Sequence, residues 1–208
     1  MPDIDRFLTA APVIPVLVID RAEDALPIAA ALVAGGLPVI EVTLRTPAAL
    51  EAIRAMRTVE GALVGAGTVL NAPQYEAAVA AGAQFAVSPG LTDPIAAAAA
   101  GSPVPLLPGV ASAADIMRAL DLGFTRMKFF PAEASGGLPA LKAFSAVFGG
   151  VKFCPTGGIS PDSAPDWLAL ESVLCVGGSW IVPPGSAFDP AAVTERARRA
   201  AALAPRRG

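Results

Sequence analysis

Eight short β-rich runs, each followed by an Ala/Leu-rich segment with helix-start signals, predict an α/β chain whose parallel strands close into a (β/α)8, or TIM, barrel. The residues at the ends of these runs, Glu41, Thr68, Ser88, Pro108, Lys128, Thr156 and Gly177, lie 20 to 28 residues apart. That spacing suits minimal strand-loop-helix units with no inserted domain, so residues 1–208 read as one domain. A doubly wound open sheet is the alternative. No G-x-G-x-x-G turn follows the first run, which leaves a dinucleotide fold with little support.

The segment from Asp3 to Thr9 reads as a short extra helix covering the barrel floor. Val13 to Ile19 is the first strand, and Ala22 to Val33 its helix, closed by Gly35-Gly36. Val39 to Thr43 precedes a helix from Pro47 to about Arg57, and Ala62 to Thr68 precedes one from about Pro73 to Ala80, ended by Gly82. Phe85 to Ser88 is followed by Asp93-Pro94, read as an N-cap with proline in the first turn. Pro105 to Pro108 is a weak fifth strand, with a helix from Ala113 to Leu120 that stops at Gly123. The run around Lys128 is the sixth, with a helix from about Pro139 to Phe148. Val151 to Cys154 is the seventh, with a helix from Ser163 to Leu170. Ser172 to Val176 is the eighth, with a helix from Pro190 to about Leu203.

Composition excludes several classes. The mean hydropathy is positive and 54% of residues are apolar, yet the longest uncharged run, Pro94 to Ala114, is broken by Pro94, Pro103, Pro105 and Pro108. It cannot be a spanning helix. Ala-rich helices around strands buried on both faces explain the hydropathy better. The first residues show neither a basic leader nor a cleavable apolar core, so no secretory signal is expected. Cys154 and Cys175 lie in separate apolar runs, which fits buried thiols in a reducing cytoplasm and offers no metal-site spacing. The chain has no histidine, so the commonest metal ligand and general base are missing and proton transfer falls to Glu, Asp, Lys, Tyr or water. A net charge of -3 argues against nucleic-acid binding. Arg196, Arg198, Arg199, Arg206 and Arg207 read as the solvated face of the last helix and its tail.

The most informative stretch is Thr125-Arg126-Met127-Lys128-Phe129-Phe130-Pro131-Ala132-Glu133. In a buried strand the Lys128 amine is desolvated, which disfavours its charged form and leaves a nucleophile of the kind that makes Schiff bases with carbonyl compounds. On this stretch alone a snorkelling lysine at a strand end is the simpler reading. The barrel frame, which points Lys128 into a site, reverses that preference. Glu41 stands among the apolar β-formers Val39, Ile40 and Val42, where burial raises a carboxyl pKa toward the range useful for proton transfer. A salt bridge to Arg45 or Lys128 is its structural alternative. Arg45 offers a planar fork for a carboxylate. Gly157-Gly158 and Gly177-Gly178, after the seventh and eighth runs, are placed to turn backbone N–H groups toward one anion, where barrels of this kind often hold a phosphate. Tight turns are the bland reading of either pair; two pairs at consecutive strand ends favour the nest.

These residues fall in runs that resemble the 2-keto-3-deoxy-6-phosphogluconate (KDPG) aldolases. The runs are Ile40-Glu41-Val42-Thr43-Leu44-Arg45-Thr46, Gly65-Ala66-Gly67-Thr68-Val69, Ser88-Pro89-Gly90, Lys128-Phe129-Phe130-Pro131-Ala132-Glu133, Cys154-Pro155-Thr156-Gly157-Gly158-Ile159 and Gly177-Gly178-Ser179-Trp180. The resemblance covers about Pro12 to Pro183 in order, with no departure at a chemical position. It implies a class I aldolase without cofactor or metal that splits 2-dehydro-3-deoxy-6-phosphogluconate into pyruvate and glyceraldehyde 3-phosphate in the Entner-Doudoroff pathway. Members are typically homotrimers, and many also cleave 4-hydroxy-2-oxoglutarate. By the same resemblance Lys128 forms the Schiff base and Glu41 is the general acid/base. Arg45 and Thr68, with Pro89 nearby, hold the pyruvate end and Phe130 lines the pocket. Thr156 faces the substrate hydroxyls, while Gly157, Gly158, Gly178 and Ser179 bind the phosphate. The readings from other classes are a phosphate-binding barrel without covalent chemistry, which does not need Lys128 in an apolar run, and a non-catalytic interaction protein, which leaves the polar strand ends unexplained.

Overall fold

The structure, a computed structural model, describes residues 3–185 and 188–203; Arg206 and Arg207 lie outside that range. Helices alternate with strands along the chain. α1 (Asp5–Leu8) leads into β1 (Val13–Leu17); a 3-10 turn (Ala22–Asp24) and α2 (Ala25–Ala34) follow, then β2 (Val39–Thr43), α3 (Ala49–Met56), β3 (Leu63–Gly67) and α4 (Ala72–Ala80). Next come β4 (Ala86–Val87), α5 (Asp93–Ala100), β5 (Leu106–Leu107), β6 (Gly109–Val110) and α6 (Ala113–Asp121). The chain closes with β7 (Arg126–Phe129), α7 (Gly137–Val147), β8 (Lys152–Pro155), α8 (Ala164–Leu168), β9 (Val176–Gly178) and α9 (Pro190–Ala201). Local chemistry marks several helix starts. Asn71 accepts a bond from the Gln74 amide, Ser112 and Asp115 form a capping box, and Asp189 caps α9 ahead of Pro190.

All strand pairings are parallel. One sheet runs β5-β4-β3-β2-β1-β9 and another β6-β7-β8. Only Pro108 separates β5 from β6, and parallel bridges Phe153↔Val173 and Thr156↔Gly177 link the β8 side to the chain entering β9. The result is a curled parallel sheet wrapped by helices, barrel-like in form. β2 is buried at every position, as expected of a parallel strand covered on both faces.

Two apolar clusters divide along the alternation of strand side chains. The larger lies between strands and helices. The smaller gathers Ile4, Phe7 and Leu8 with Ile14, Val39, Phe85, Val87, Leu107, Cys154 and Cys175 inside the sheet. In it the Phe7 and Phe85 rings lie 4.8 Å apart. Arg126 at the start of β7 forks onto both oxygens of Asp5, at 2.7 and 2.8 Å. The two cysteines are free thiols in this inner cluster, and a hydrogen bond with Cys154 together with complete burial pushes the Cys175 thiol well above its ordinary pKa.

Four local expectations shift. The run at Pro105 to Pro108 holds one two-residue strand, β5, and pairing resumes only past Pro108, in β6, because Pro108 has no N–H to donate and the ladder changes partner there, from β4 to β7. Thr92, not Asp93, is the N-cap of α5. The last strand begins at Val176 and not at Ser172. Leu174 still bonds to Phe153, whereas Val176 bonds to Pro12, so pairing with β1 starts late. Its glycines are strand residues, since a Cβ on Gly177 would lie 2.3 Å from Thr156 Oγ1. Finally, Arg198 and Arg199 are exposed and paired with Glu195, but Arg196 is half-buried and donates to the Ile181 carbonyl.

Candidate active site

Lys128 is the third residue of β7, between Met127 and Phe129, both fully buried. Those neighbours point to the helix side, where the Phe129 ring meets Phe144 of α7 and Trp167 of α8. Alternation therefore sends Lys128 inward. Glu41, flanked by the buried Ile40 and Val42, is sent inward in the same way from β2. The two meet across the interior, Nζ to Oε1 at 3.1 Å, with Lys128 6% and Glu41 4% exposed. Of the two structural alternatives for Glu41, the partner is Lys128. Arg45 is exposed, two residues beyond β2, and has no ion-pair partner among the described residues.

Glu41 is not at a strand end, as its sequence position suggests, but in the middle of β2. Its carboxylate leans along the strand over Gly67. Thr43, two residues on, fixes the strand by donating to the Leu17 carbonyl at 2.7 Å.

The other expected residues lie at or just beyond the C-terminal ends of the strands. Phe130 follows β7, its ring centroid 5.2 Å from Lys128 Nζ, within cation-π reach; the Phe130-Pro131 peptide is cis. Thr68 follows β3 and holds φ at 57°, the left-handed region that a β-branched residue rarely enters. Pro89 follows β4 by two residues. Its carbonyl would lie 2.2 Å from a Cβ on Gly109, so the Ser88-Pro89-Gly90 loop crosses directly over the neighbour of Lys128 in register.

Thr156 follows β8, buried, with its side chain over Gly177. Its amide bonds to Phe129 and its carbonyl accepts from Ala132, while Glu133 N–H bonds to Gly157, so the loops after β7 and β8 are tied together. Gly157 and Gly158 have φ of 103° and 81° and form a true turn. Gly177 and Gly178 instead lie extended in β9, paired with Ile14 and Pro15 of β1, and Ser179 is exposed just beyond. The two glycine pairs thus differ in conformation while opening on the same rim.

Sequence reading gave no separate role to Gly67, whose bare face the Glu41 carboxylate occupies. Glycines two apart on one strand, Gly65 and Gly67, were the available signal of close approach. Nor did it single out Ser88 for burial; that hydroxyl is buried without a partner. Among the described residues no group of three or more metal-ligating side chains forms, and no helix is long and apolar enough to cross a membrane.

A family model for KDPG and KHG aldolases matches residues 4–195. The 2-dehydro-3-deoxy-phosphogluconate aldolase of Zymomonas mobilis is 60% identical over 203 residues, 98% of this chain and 97% of that protein. A crystal structure of the 2-keto-3-deoxy-6-phosphogluconate aldolase of Zymomonas mobilis with 3-phosphoglycerate superposes with a TM-score of 0.95 at 59% identity, covering 98% and 97% of the two chains. The KDPG aldolase of Legionella pneumophila, solved with pyruvate captured at low pH as a covalent carbinolamine intermediate, gives a TM-score of 0.92 at 49% identity, covering 95% and 97%.

Proposed function

The chain belongs to the KDPG and KHG aldolase family, and from that premise we propose how its residues divide the work of a class I, Schiff-base aldolase. The reaction is cleavage of 2-dehydro-3-deoxy-6-phosphogluconate to pyruvate and glyceraldehyde 3-phosphate, with 4-hydroxy-2-oxoglutarate as a second substrate. One observation carries the assignment of roles: a buried lysine amine and a buried carboxylate 3.1 Å apart, facing each other inside a parallel α/β sheet.

Glu41 takes a proton from Lys128 as the keto acid arrives, freeing the amine. Lys128 attacks the C2 ketone, and Glu41 passes its proton to the carbinolamine hydroxyl, which leaves as water to give an iminium. Glu41, through a water, takes the C4 hydroxyl proton; the C3–C4 bond breaks, the aldehyde leaves and the electron pair passes into the iminium as an enamine. Glu41 returns a proton to C3, and hydrolysis releases pyruvate and the free lysine. The low polarity around the pair strengthens its electrostatics and keeps bulk water from the enamine.

Arg45 and Thr68, with Pro89, hold the carboxylate end, and an exposed guanidinium without an ion-pair partner is suited to that task. Phe130 lines the pocket beside the amine, and Thr156 faces the substrate hydroxyls. Gly157, Gly158, Gly178 and Ser179 receive the phosphate, as amide donors at adjacent strand ends suit an anion. Within this reading β5 and β6 count as one strand position interrupted by Pro108, giving a closed (β/α)8 barrel with α1 across its floor, and residues 1–208 count as a single domain. Homotrimeric assembly and a cytoplasmic location belong to the same reading, the first from the family resemblance and the second from two free buried thiols.

Borohydride added with pyruvate will leave a reduced adduct on Lys128, read by peptide mass spectrometry. An unmodified Lys128, or full activity in Lys128→Ala, overturns the account. A lactate dehydrogenase-coupled assay of pyruvate release, with chelator present, measures cleavage of both substrates side by side.

A further inference from the structure

We propose that Gly67 is a positioning residue: by leaving the inner face of β3 bare, it fixes the Glu41 carboxylate against Lys128. The inference rests on the aldolase reading above and assigns a role to a residue outside the reacting groups.

Register places Glu41 opposite Gly65, and Thr43 opposite Gly67. The space over Gly65 is already filled, since a Cβ there would lie 2.5 Å from carbons of the Phe85 ring. The Glu41 side chain therefore leans one step up the strand, over Gly67. A Cβ on Gly67 would lie 2.1 Å from Glu41 Oε1, 2.6 Å from Cγ and 2.7 Å from Cδ, and these are its three nearest atoms. Oε1 is also the oxygen 3.1 Å from Lys128 Nζ. The carboxylate is thus seated between a bare stretch of backbone and the amine.

Backbone conformation does not call for glycine here. Gly67 is absent from the positive-φ residues, and it is the following Thr68 that turns left-handed. Nor can β3 retreat easily, because the Gly67 carbonyl accepts from Leu44 at 2.8 Å and the strand is paired with β2 along its length. A methyl at position 67 would consequently displace the carboxylate rather than the strand.

The test uses Gly67→Ala in the otherwise intact enzyme. Pyruvate will still be trapped on Lys128 by borohydride once equilibrium is reached. Exchange of the pyruvate methyl protons with deuterium, followed by NMR, will fall about 100-fold, the scale of a lost general base. In a Glu41→Gln background the same Gly67→Ala change will alter exchange by no more than about 3-fold, because no carboxylate remains to be misplaced. Equal losses in both backgrounds would mean a merely structural glycine and overturn the proposal. If Gly67→Ala alone does not fold, Glu41→Ala/Gly67→Ala decides: it will melt with Glu41→Ala, since the added methyl meets Glu41 first, and a lower melting point refutes the idea. Failure of the trapping in the unaltered enzyme would count instead against the aldolase reading, leaving the two failures distinguishable.

Discussion

Replacing Lys128 by methionine keeps the volume and apolar stem while deleting the charge, which strands Glu41 as a buried carboxylate with no ionic partner. Both side chains are at most 7% exposed, so solvent screening offers little relief, and breaking one side of such a pair costs about 3–5 kcal/mol. Replacing both partners by apolar groups of similar size removes the desolvation penalty as well, and such exchanges are often neutral or stabilising by about 1–4 kcal/mol. Lys128→Met should therefore be destabilised by at least about 3 kcal/mol, while Lys128→Met/Glu41→Leu should be about as stable as the parent or more so. Urea denaturation followed by circular dichroism reads this directly. With a slope of about 1–3 kcal/mol/M, the single variant's midpoint should fall by about 1 M or more and the double variant should recover it. Both variants should lack aldolase activity, separating what the pair does for chemistry from what it costs the fold. A Lys128→Met midpoint equal to the parent's would show the carboxylate to be solvated, and the dry-site argument would fail.

Three further outcomes follow from single residues. Cys175 keeps its proton in the folded state to higher pH than in the unfolded chain, so the unfolded state releases it first and stability falls as pH rises above about 8.5, by up to about 1.4 kcal/mol per pH unit; Cys175→Val should flatten that fall in urea melts from pH 8 to 10. Thr68→Gly removes a strained left-handed threonine, so relief of about 1–3 kcal/mol against a glycine entropy cost of about 0.5–1 kcal/mol should leave the melting point unchanged or higher, while KM for the keto acid rises; a clear loss of stability would show that the conformation carries no strain. Arg45→Ala, at an exposed residue without an ion-pair partner, should leave stability within about 0.5 kcal/mol but raise KM about 10- to 100-fold, the worth of a charge-assisted bond; steady-state kinetics beside thermal melts would show whether the two separate.

The alternation of β-rich runs and capped helices was legible because both signals are local. Val39 to Thr43 reads as a strand from its β-formers and is one. Asp93-Pro94 reads as a helix start and opens α5, one residue past the Thr92 N-cap. Lys128 stood out for a related reason: a charge between Met127 and Phe129 conflicts with its neighbours, and such a conflict is visible without coordinates. The resemblance then tied Glu41, Arg45 and the glycine loops to the same reaction.

What sequence could not decide were events between strands. Nothing local to Gly177-Gly178 separates a turn from a strand pressed against Thr156; the contact distance decides it. Pro108 splits one strand into two because two different neighbours compete for its ladder. The placement of Glu41 is the fullest case. Its residue type and alternation are written in the chain, but Phe85 closing the space over Gly65, and Gly67 leaving the next one open, belong to segments that meet only on folding. The sequence by itself determined the alternation of strands and helices, and it marked Lys128 and Glu41 as charged groups set among apolar strand neighbours. The tertiary structure decided which way the carboxylate leans, because in a close-packed interior the Phe85 ring fills the space over Gly65 while Gly67 leaves its own face bare.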